Sequence, residues 1–183
     1  MSIDMRGVVA VLGAESTGKT TLVESLAETL RTAGHDAVAV AETLREFCDR
    51  EQRTPRSDEQ AAIAALHSRR IEAAALGHAI VLADTTALQT AVYSEQVFGD
   101  RSLYEHALAW HRERVHLTLL TALDLPWRSD GLQRDGPHVR EPVDALLRAA
   151  LARGGIGFSI VAGLGTPRHD AAFAALRHAL LAS

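Results

Sequence analysis

Short apolar runs alternate with amphipathic stretches along this chain. The runs are rich in valine, leucine and isoleucine, which is typical of strands covered on both faces. Strands are therefore predicted at 8–12, 38–41, 79–83, 115–123 and 157–161. In the stretches between them, apolar residues recur every third or fourth position, which is the spacing of one helix face. Helices are predicted at 18–31, 57–77, 87–97, 102–111, 140–153 and 168–181.

This alternation predicts the fold class. Buried strands that alternate with helices form a parallel sheet with helices on both faces, so we expect an α/β three-layer sandwich around a five-stranded sheet. No repeat, low-complexity tract or linker rich in Pro, Gly or Ser divides the sequence, and residues 1–183 are expected to form a single domain. Ligands of such folds bind at the C-terminal ends of the strands.

The segment after the first predicted strand matches the phosphate-loop pattern G-x-x-x-x-G-K-[ST], which also predicts the P-loop NTPase form of this sandwich. Its glycines let backbone N–H groups converge on phosphate oxygens at a helix N-terminus. In this interpretation Lys19 reaches the β- and γ-phosphates of ATP, and Thr20 is a ligand of Mg²⁺. The alternative is a chance match in an ordinary strand-to-helix turn. The residues predicted to bind the nucleotide are Gly13, Glu15, Ser16, Thr17, Gly18, Lys19, Thr20 and Thr21.

Composition supports the phosphate-loop interpretation and disfavours other classes. Lys19 is the single lysine beside 18 arginines, and a compact ammonium suits a terminal phosphate better than a planar guanidinium does. The chain has no Asn, so it lacks the Asn-Lys-x-Asp pattern of guanine recognition, which disfavours a GTPase-type switch. A formal charge of −4 provides no overall positive field, so nucleic-acid binding is not expected.

Cysteine usage and hydropathy indicate a cytoplasmic protein. The one cysteine, Cys48, has no partner for an internal disulfide and is expected to be a small buried apolar group. No apolar run approaches 18 residues, so neither secretion nor membrane insertion is expected. His106, His111 and His116 are five residues apart and do not share one helix face, so we expect them on the surface.

Two carboxylates stand at predicted strand ends. Asp84 closes the third strand, where an aspartate can hold Mg²⁺ directly or through water; alternatively it caps the next helix. Glu42 ends the second strand, which we expect near the first. From there it would face the phosphate loop and accept the proton of an attacking hydroxyl, with Arg45 steering phosphate or holding Glu42. The alternative is an exposed Glu–Arg pair of little energetic value.

Residues 126–140 after the fourth strand are polar and rich in turn residues, and we call them the lid segment. Arg128, Arg134 and Arg140 are expected to swing over the bound triphosphate, neutralise charge on the transferring group and help exclude water. The alternative is a solvated loop whose arginines pair with Asp130, Asp135 and Glu141.

In this order, the motifs resemble the ribosylnicotinamide (nicotinamide riboside) kinase domain of the NadR type, a group of P-loop kinases related to AAA-like ATPases. The resemblance covers nearly the whole chain. Its most specific part is Pro-Trp-x-x-Asp-Gly at residues 126–131, which P-loop proteins do not generally share. The other matching segments are the phosphate loop through Leu22, Glu42 with residues 45–47, and Asp84-Thr85 before the helix that contains Thr90.

The resemblance implies transfer of the ATP γ-phosphoryl group to the 5′-hydroxyl of nicotinamide riboside, with Mg²⁺. It also implies that Lys19, Glu42, Asp84, Arg128 and Arg134 form the catalytic set, with Glu42 as the base and Thr20 and Asp84 at the metal. Two positions depart from the family pattern. Ala41 stands where relatives carry an aromatic residue, and Thr86 where they carry a second aspartate. Phe47, Tyr93 and Trp127 are candidate substitutes for that aromatic face.

Two alternatives stay open at this point. One is a kinase for another nucleoside or nucleotide, with the same phosphate machinery and a different acceptor pocket. The other is a regulatory P-loop ATPase that acts through a protein partner and turns over ATP equally with or without a small acceptor. The adenylyltransferase and DNA-binding activities of full-length relatives are not predicted.

Overall fold

A five-stranded parallel sheet forms the centre of the fold. The computed structural model describes residues 5–128 and 137–181. Lateral order in the sheet is β2-β3-β1-β4-β5, and all four pairings are parallel. The strands are β1 (Gly7–Leu12), β2 (Ala37–Val40), β3 (Ile80–Asp84), β4 (Leu117–Thr121) and β5 (Ser159–Val161). All five residues of β3 are buried, as its continuous apolar run predicts.

The strand order shows how near β2 lies to β1. β2 does not lie beside β1, because β3 is inserted between them and pairs with both. The register opposes Val11 of β1 to Asp84 of β3, so Asp84 lies beside the start of the phosphate loop. The long crossover between β2 and β3 leaves the lateral position of β2 undetermined by sequence, since it allows β3 to pair between β2 and β1.

Seven helices are present in the described ranges. The sequence pattern missed α2, because among its nine mostly polar residues only Thr43 and Cys48 are buried. None of the described helices combines the length and apolar character that a membrane crossing requires. The helices are α1 (Lys19–Thr32), α2 (Thr43–Glu51), α3 (Gln60–Gly77), α4 (Ala87–Phe98), α5 (Tyr104–Arg114), α6 (Arg140–Arg153) and α7 (Gly165–Leu181).

Apolar side chains cover both faces of the sheet. On one face, Val9 and Val11 of β1 pack with α1 and α7. On the other, Leu12 and Leu120 pack with α4, α5 and α6. Each fully buried leucine contributes about 1.5–3 kcal/mol relative to an exposed one, so these two layers hold the strand ends rigidly in place. The rigid strand ends are what positions the loops between strands and helices.

His111 contradicts the expectation that the spaced histidines lie on the surface. Its side chain is 1% exposed, whereas those of His106 and His116 are exposed. His111 Nδ1 lies 3.1 Å from the Thr86 hydroxyl and Nε2 lies 2.8 Å from the Thr118 hydroxyl. Both ring nitrogens therefore have neutral partners inside the core, in contacts that link α5 to the N-cap of α4 and to β4 and that helix spacing alone does not indicate.

Acid is expected to destabilise the protein through His111. Burial lowers its pKa to about 4, so below pH 6.5 the unfolded chain takes up a proton that the folded chain does not. This contribution to the free energy of unfolding is intact above pH 6.5 and falls as the pH approaches 4. We expect a loss of about 2–3 kcal/mol between about pH 7.5 and about pH 4.5, measured by urea unfolding. His111→Gln should remove this contribution from the acid loss, and His106→Gln should leave it unchanged.

Candidate functional site

The phosphate loop connects β1 to α1 in a conformation that its glycines permit. Gly18 has a φ of 73° and ends the loop at the N-cap of α1, and Gly13 has a φ of 155°. A Cβ at Gly13 would collide with the Thr121 hydroxyl, so a larger residue does not fit there. Ser16 also has a positive φ, 57°. The loop therefore curls over the N-terminus of α1, where free N–H groups and the helix dipole favour anions.

Side chains from two other elements, α4 and β4, hold the loop in this shape. Gln89 of α4 exchanges two hydrogen bonds with the backbone of Gly13, at 3.3 and 3.1 Å. The Thr17 hydroxyl donates to the Ala14 carbonyl and lies 2.7 Å from the Thr121 hydroxyl. These contacts are buried, so the loop is preorganised before any phosphate arrives.

Arg168 of α7 adds a further brace from behind the loop. Its side chain is 6% exposed, and its Nη2 donates to the Thr17 carbonyl at 2.6 Å. Nη1 donates to Asp124 and to the Gly163 carbonyl, at 3.3 and 3.2 Å. The guanidinium thereby ties the phosphate loop to the segments that follow β4 and β5. Its charge is compensated by Asp124.

Lys19 and Thr20 open α1 and point toward the loop and the end of β3. Lys19 Nζ donates to the Ala14 carbonyl at 2.8 Å, so the ammonium lies over the curl of the loop. The Thr20 hydroxyl donates to Asp84 Oδ2 at 2.5 Å. The structure thus joins the two residues that the sequence assigned to the metal, although they are 64 positions apart.

The residues present fit a magnesium ion. Asp84 is 2% exposed, and its Oδ1 is buried without a hydrogen-bond partner among the described residues. A carboxylate oxygen beside a threonine hydroxyl is the hard donor set that Mg²⁺ takes together with phosphate oxygens and water. Across residues 5–128 and 137–181, no three His, Cys, Asp or Glu side chains gather as a metal site. An ion here would thus depend on nucleotide phosphates for the rest of its ligands.

Buried contacts beyond the metal residues fix the end of β3. Thr85 has a φ of 70°, which is strained for a β-branched residue. His67 of α3 holds it, with Nε2 3.1 Å from the Thr85 carbonyl, while Nδ1 lies 3.0 Å from the Thr43 hydroxyl. Burial lowers the pKa of His67, so its ring is neutral and links the residue after Asp84 to the residue after Glu42.

Glu42 lies at the N-cap of α2 and lines a pocket together with the phosphate loop, which we call the Glu42 pocket. Glu42 and Arg45 also line the phosphate cradle formed by residues 16–21, so they share a wall with Lys19. Glu15 is 5% exposed, and its side chain lines the Glu42 pocket. The lining of the Glu42 pocket includes Lys19, Glu42, Arg45, Gln60, Tyr93 and Phe98.

Comparison with known families and structures agrees with this geometry. The sequence profile of the AAA domain family matches residues 8–167, which include the phosphate loop, Glu42 and Asp84. The chain belongs to this AAA domain family. No curated protein matches it.

Solved structures show the same fold in P-loop kinases. NadR protein in complex with NAD and AMP-PNP is 22% identical, with a TM-score of 0.74 over 96% of this chain and 50% of that one. NadR protein in complex with NR is 23% identical, with a TM-score of 0.72 over 96% and 52%. Thymidylate kinase from Ehrlichia chaffeensis is 16% identical, with a TM-score of 0.64 over 94% and 99%. The chain spans about half the length of the NadR structures it matches. The predicted resemblance to NadR is thereby confirmed at the level of the fold.

In this AAA domain, the first described residues of the lid segment contact the phosphate loop. The Ser16 hydroxyl accepts from the Arg128 backbone N–H at 2.8 Å and donates to the Arg128 carbonyl at 3.0 Å. Arg140 is 8% exposed and donates to the Leu125 carbonyl at 2.9 Å, so it is buried against the residue just before the segment instead of extending over the loop. Arg134, Asp130 and Asp135 lie outside the described residues.

Several residues of the AAA domain's site were not found from the sequence. Gln89, Thr121 and Arg168 brace the loop from positions with no local motif, and only the folded chain brings them there. Gln60 and Phe98 reach the Glu42 pocket from α3 and α4. Of the candidate aromatic substitutes, Tyr93 lines that pocket. Phe47 packs instead beneath Arg50 and Arg53, whose guanidinium carbons lie 5.6 and 5.2 Å from its ring centroid.

Proposed function

We propose that this protein is an ATP-dependent nucleoside kinase that transfers the γ-phosphoryl group of ATP to the 5′-hydroxyl of nicotinamide riboside, giving nicotinamide mononucleotide. One observation carries the proposal. The wall that contains Lys19 and the phosphate loop is shared with a pocket that contains a carboxylate, Glu42, and an arginine, Arg45. A donor phosphate on the loop and an acceptor in the Glu42 pocket would therefore meet beside Glu42.

Catalysis in this proposal is mostly positioning and charge stabilisation, as phosphoryl transfer requires. The loop N–H groups and Lys19 hold the β- and γ-phosphates. Mg²⁺, when bound by Thr20 and Asp84, neutralises phosphate charge. Glu42 accepts the hydrogen bond of the attacking hydroxyl and takes its proton, and Arg45 supplies positive charge beside the transferring group.

Closure of the lid segment completes the proposed site. The backbone of Arg128 is already hydrogen-bonded to Ser16 of the phosphate loop. From there its guanidinium and that of Arg134 would reach the triphosphate and exclude water. In this proposal the two arginines supply positive charge to the triphosphate in addition to Lys19, the single lysine of the chain.

The choice of acceptor is supported by the resemblance in the motifs and by the fold shared with NadR solved with NR. Tyr93 and Phe98 supply aromatic faces in the Glu42 pocket, although Ala41 lacks the aromatic side chain of relatives. A pyridinium ring is a cation, and aromatic faces and nearby carboxylates favour such a ring over a neutral one. We further propose that the protein acts in the cytoplasm, on a small nucleoside and without nucleic acid.

A mass-resolved kinase assay tests the proposed function. The purified protein is incubated with ATP, Mg²⁺ and, separately, nicotinamide riboside, thymidine, thymidine monophosphate, uridine or adenosine, and ADP is followed together with acceptor mass. The expected result is the gain of one phosphoryl group on nicotinamide riboside. Phosphorylation of another acceptor alone would replace the substrate and keep the kinase. ADP release at one slow rate with every acceptor would overturn the kinase in favour of a regulatory ATPase.

Removal of the Glu42 charge is expected to slow phosphoryl transfer. The Glu42→Gln variant keeps the size of the side chain but cannot take the proton, so kcat should fall about 10²-fold while the affinity for ATP changes little. Glu46→Gln is the matched control, because Glu46 lies one turn further along α2 and pairs with Arg70 on the surface. An equal loss in both variants would show that α2 had been disturbed and would remove Glu42 from the reaction.

A further inference from the structure

One buried polar side chain of the Glu42 pocket is not used by the phosphate chemistry. Gln60 is the first residue of α3 and is 5% exposed. Its Oε1 is buried without a hydrogen-bond partner among residues 5–128 and 137–181. A buried amide left in this state costs free energy that a native protein normally avoids. Its position in a pocket wall indicates that a ligand supplies the missing partner.

The surroundings of Gln60 suit a flat ring with a polar substituent. The apolar side chains that line the pocket with it come from α2, the loop before α3, and α4. Val97 and Phe98 are 51% and 40% exposed, so apolar surface faces the pocket instead of the core. A ligand bound against such a lining displaces water, which makes a single hydrogen bond more selective. These apolar neighbours are Leu44, Cys48, Pro55, Tyr93, Val97 and Phe98.

An ionic clamp holds the turn that carries Gln60. Both nitrogens Nη1 and Nη2 of Arg53 donate to the Glu59 carboxylate at 2.7 Å, and Glu59 also accepts from the Arg56 backbone N–H at 2.8 Å. These bonds lower the pKa of Glu59 to about 2, so the clamp stays charged at neutral pH. Thr54 and Pro55, inside the clamp, line the same pocket. Gln60 is thus presented from a fixed turn, as a recognition residue requires.

We propose that Gln60 is a specificity-determining residue that recognises the carboxamide on the pyridinium ring of the acceptor, which deepens the proposed nicotinamide riboside kinase function and rests on it. A carboxamide carries both donors and an acceptor, so it satisfies the Gln60 amide in either orientation of that amide. A carboxylate at the same ring position has acceptors only, so it can accept from Gln60 Nε2 but offers no donor to the unpartnered Oε1. The protein therefore selects nicotinamide riboside over nicotinic acid riboside.

A substrate-variant cycle tests this role. Wild type and Gln60→Leu are assayed with nicotinamide riboside and with 1-ribosylpyridinium, which has the same charged ring and no carboxamide. We expect the substitution to lower kcat/KM for nicotinamide riboside about tenfold, mainly through KM, and to leave kcat/KM for ribosylpyridinium unchanged. Wild type should also use nicotinic acid riboside at least about tenfold less well than nicotinamide riboside.

The ribosylpyridinium assay and the affinity for ATP show whether the Gln60→Leu variant is folded. An equal loss for both pyridinium substrates, or no loss for either, would overturn the role of Gln60 while the kinase function stands. Equal use of the amide and the acid by wild type would also overturn it. If wild type phosphorylates neither pyridinium riboside, the proposed acceptor itself is wrong, an outcome visible before any variant is made.

Discussion

Replacement of Lys19 by alanine is expected to lower kcat for phosphoryl transfer by about 10²–10³-fold. Lys19 Nζ lies 2.8 Å from the Ala14 carbonyl, over the curl of the phosphate loop, where a γ-phosphate would replace that carbonyl as its partner. Lys19 stabilises negative charge on the phosphoryl oxygens, and this stabilisation matters most as the bond to ADP breaks. Loss of the ammonium is therefore expected to destabilise the transition state more than it weakens ATP binding. Steady-state assays with saturating ATP and acceptor measure the effect.

Two variants separate the role of the ammonium from charge in general. Lys19→Arg keeps the charge but brings a planar group too large for the curl, so we expect it to restore little activity. Arg31→Ala removes an exposed cation from the last turn of the same helix and should be silent. If Lys19→Arg were as active as wild type, the argument from the compact ammonium would be wrong.

Because Lys19 is the single lysine, its state can also be read chemically. A lysine-directed label located by mass spectrometry should attach there in the free protein and be blocked by ATP.

Most of the fold could be predicted from the sequence, because the hydrophobic pattern determines where most strands and helices form. Within residues 5–128 and 137–181, continuous apolar runs located the five strands, and the helical spacing located six of the seven helices. The seventh, α2, is nine residues long, and its apolar residues Leu44, Phe47 and Cys48 are too few to establish a helical period in a mostly polar sequence. The position of β2 at the edge of the sheet depends on long-range packing of β3 between β1 and β2, which no local pattern encodes.

The candidate site also contains residues that the sequence predicts and residues that only the structure reveals. The loop and the strand-end carboxylates follow local motifs, and the structure places the Thr20 hydroxyl against Asp84. Gln89, Gln60 and Arg168 are ordinary residues of helices, and they matter only because the fold buries their polar atoms against the loop or the pocket. A sequence pattern gives the identity of a side chain, but the partner that makes it functional is supplied by the tertiary structure.

Asp84→Asn is expected to change stability and activity in opposite directions. Asp84 is 2% exposed, and Oδ1 lacks a hydrogen-bond partner in the described part of the chain, so the unliganded protein buries a carboxylate at a cost. An amide of the same shape can keep the bond from Thr20 while it removes the charge. We expect the free energy of unfolding without ligand to rise by about 1 kcal/mol, as happens where function maintains a destabilising residue.

The same substitution is expected to lower kcat by about 10²–10³-fold and to raise the Mg²⁺ concentration needed for half-maximal rate, because a neutral amide is a poor ligand for a hard cation. Urea unfolding without nucleotide and a Mg²⁺ titration of the kinase reaction measure the two effects on one preparation. Asp49→Asn, at an exposed position of α2, is the control and should alter neither. If the variant lost stability along with activity, Asp84 would be a structural residue. A carboxylate retained for metal and phosphate binding is expected to destabilise the unliganded protein, so removal of its charge should raise the stability.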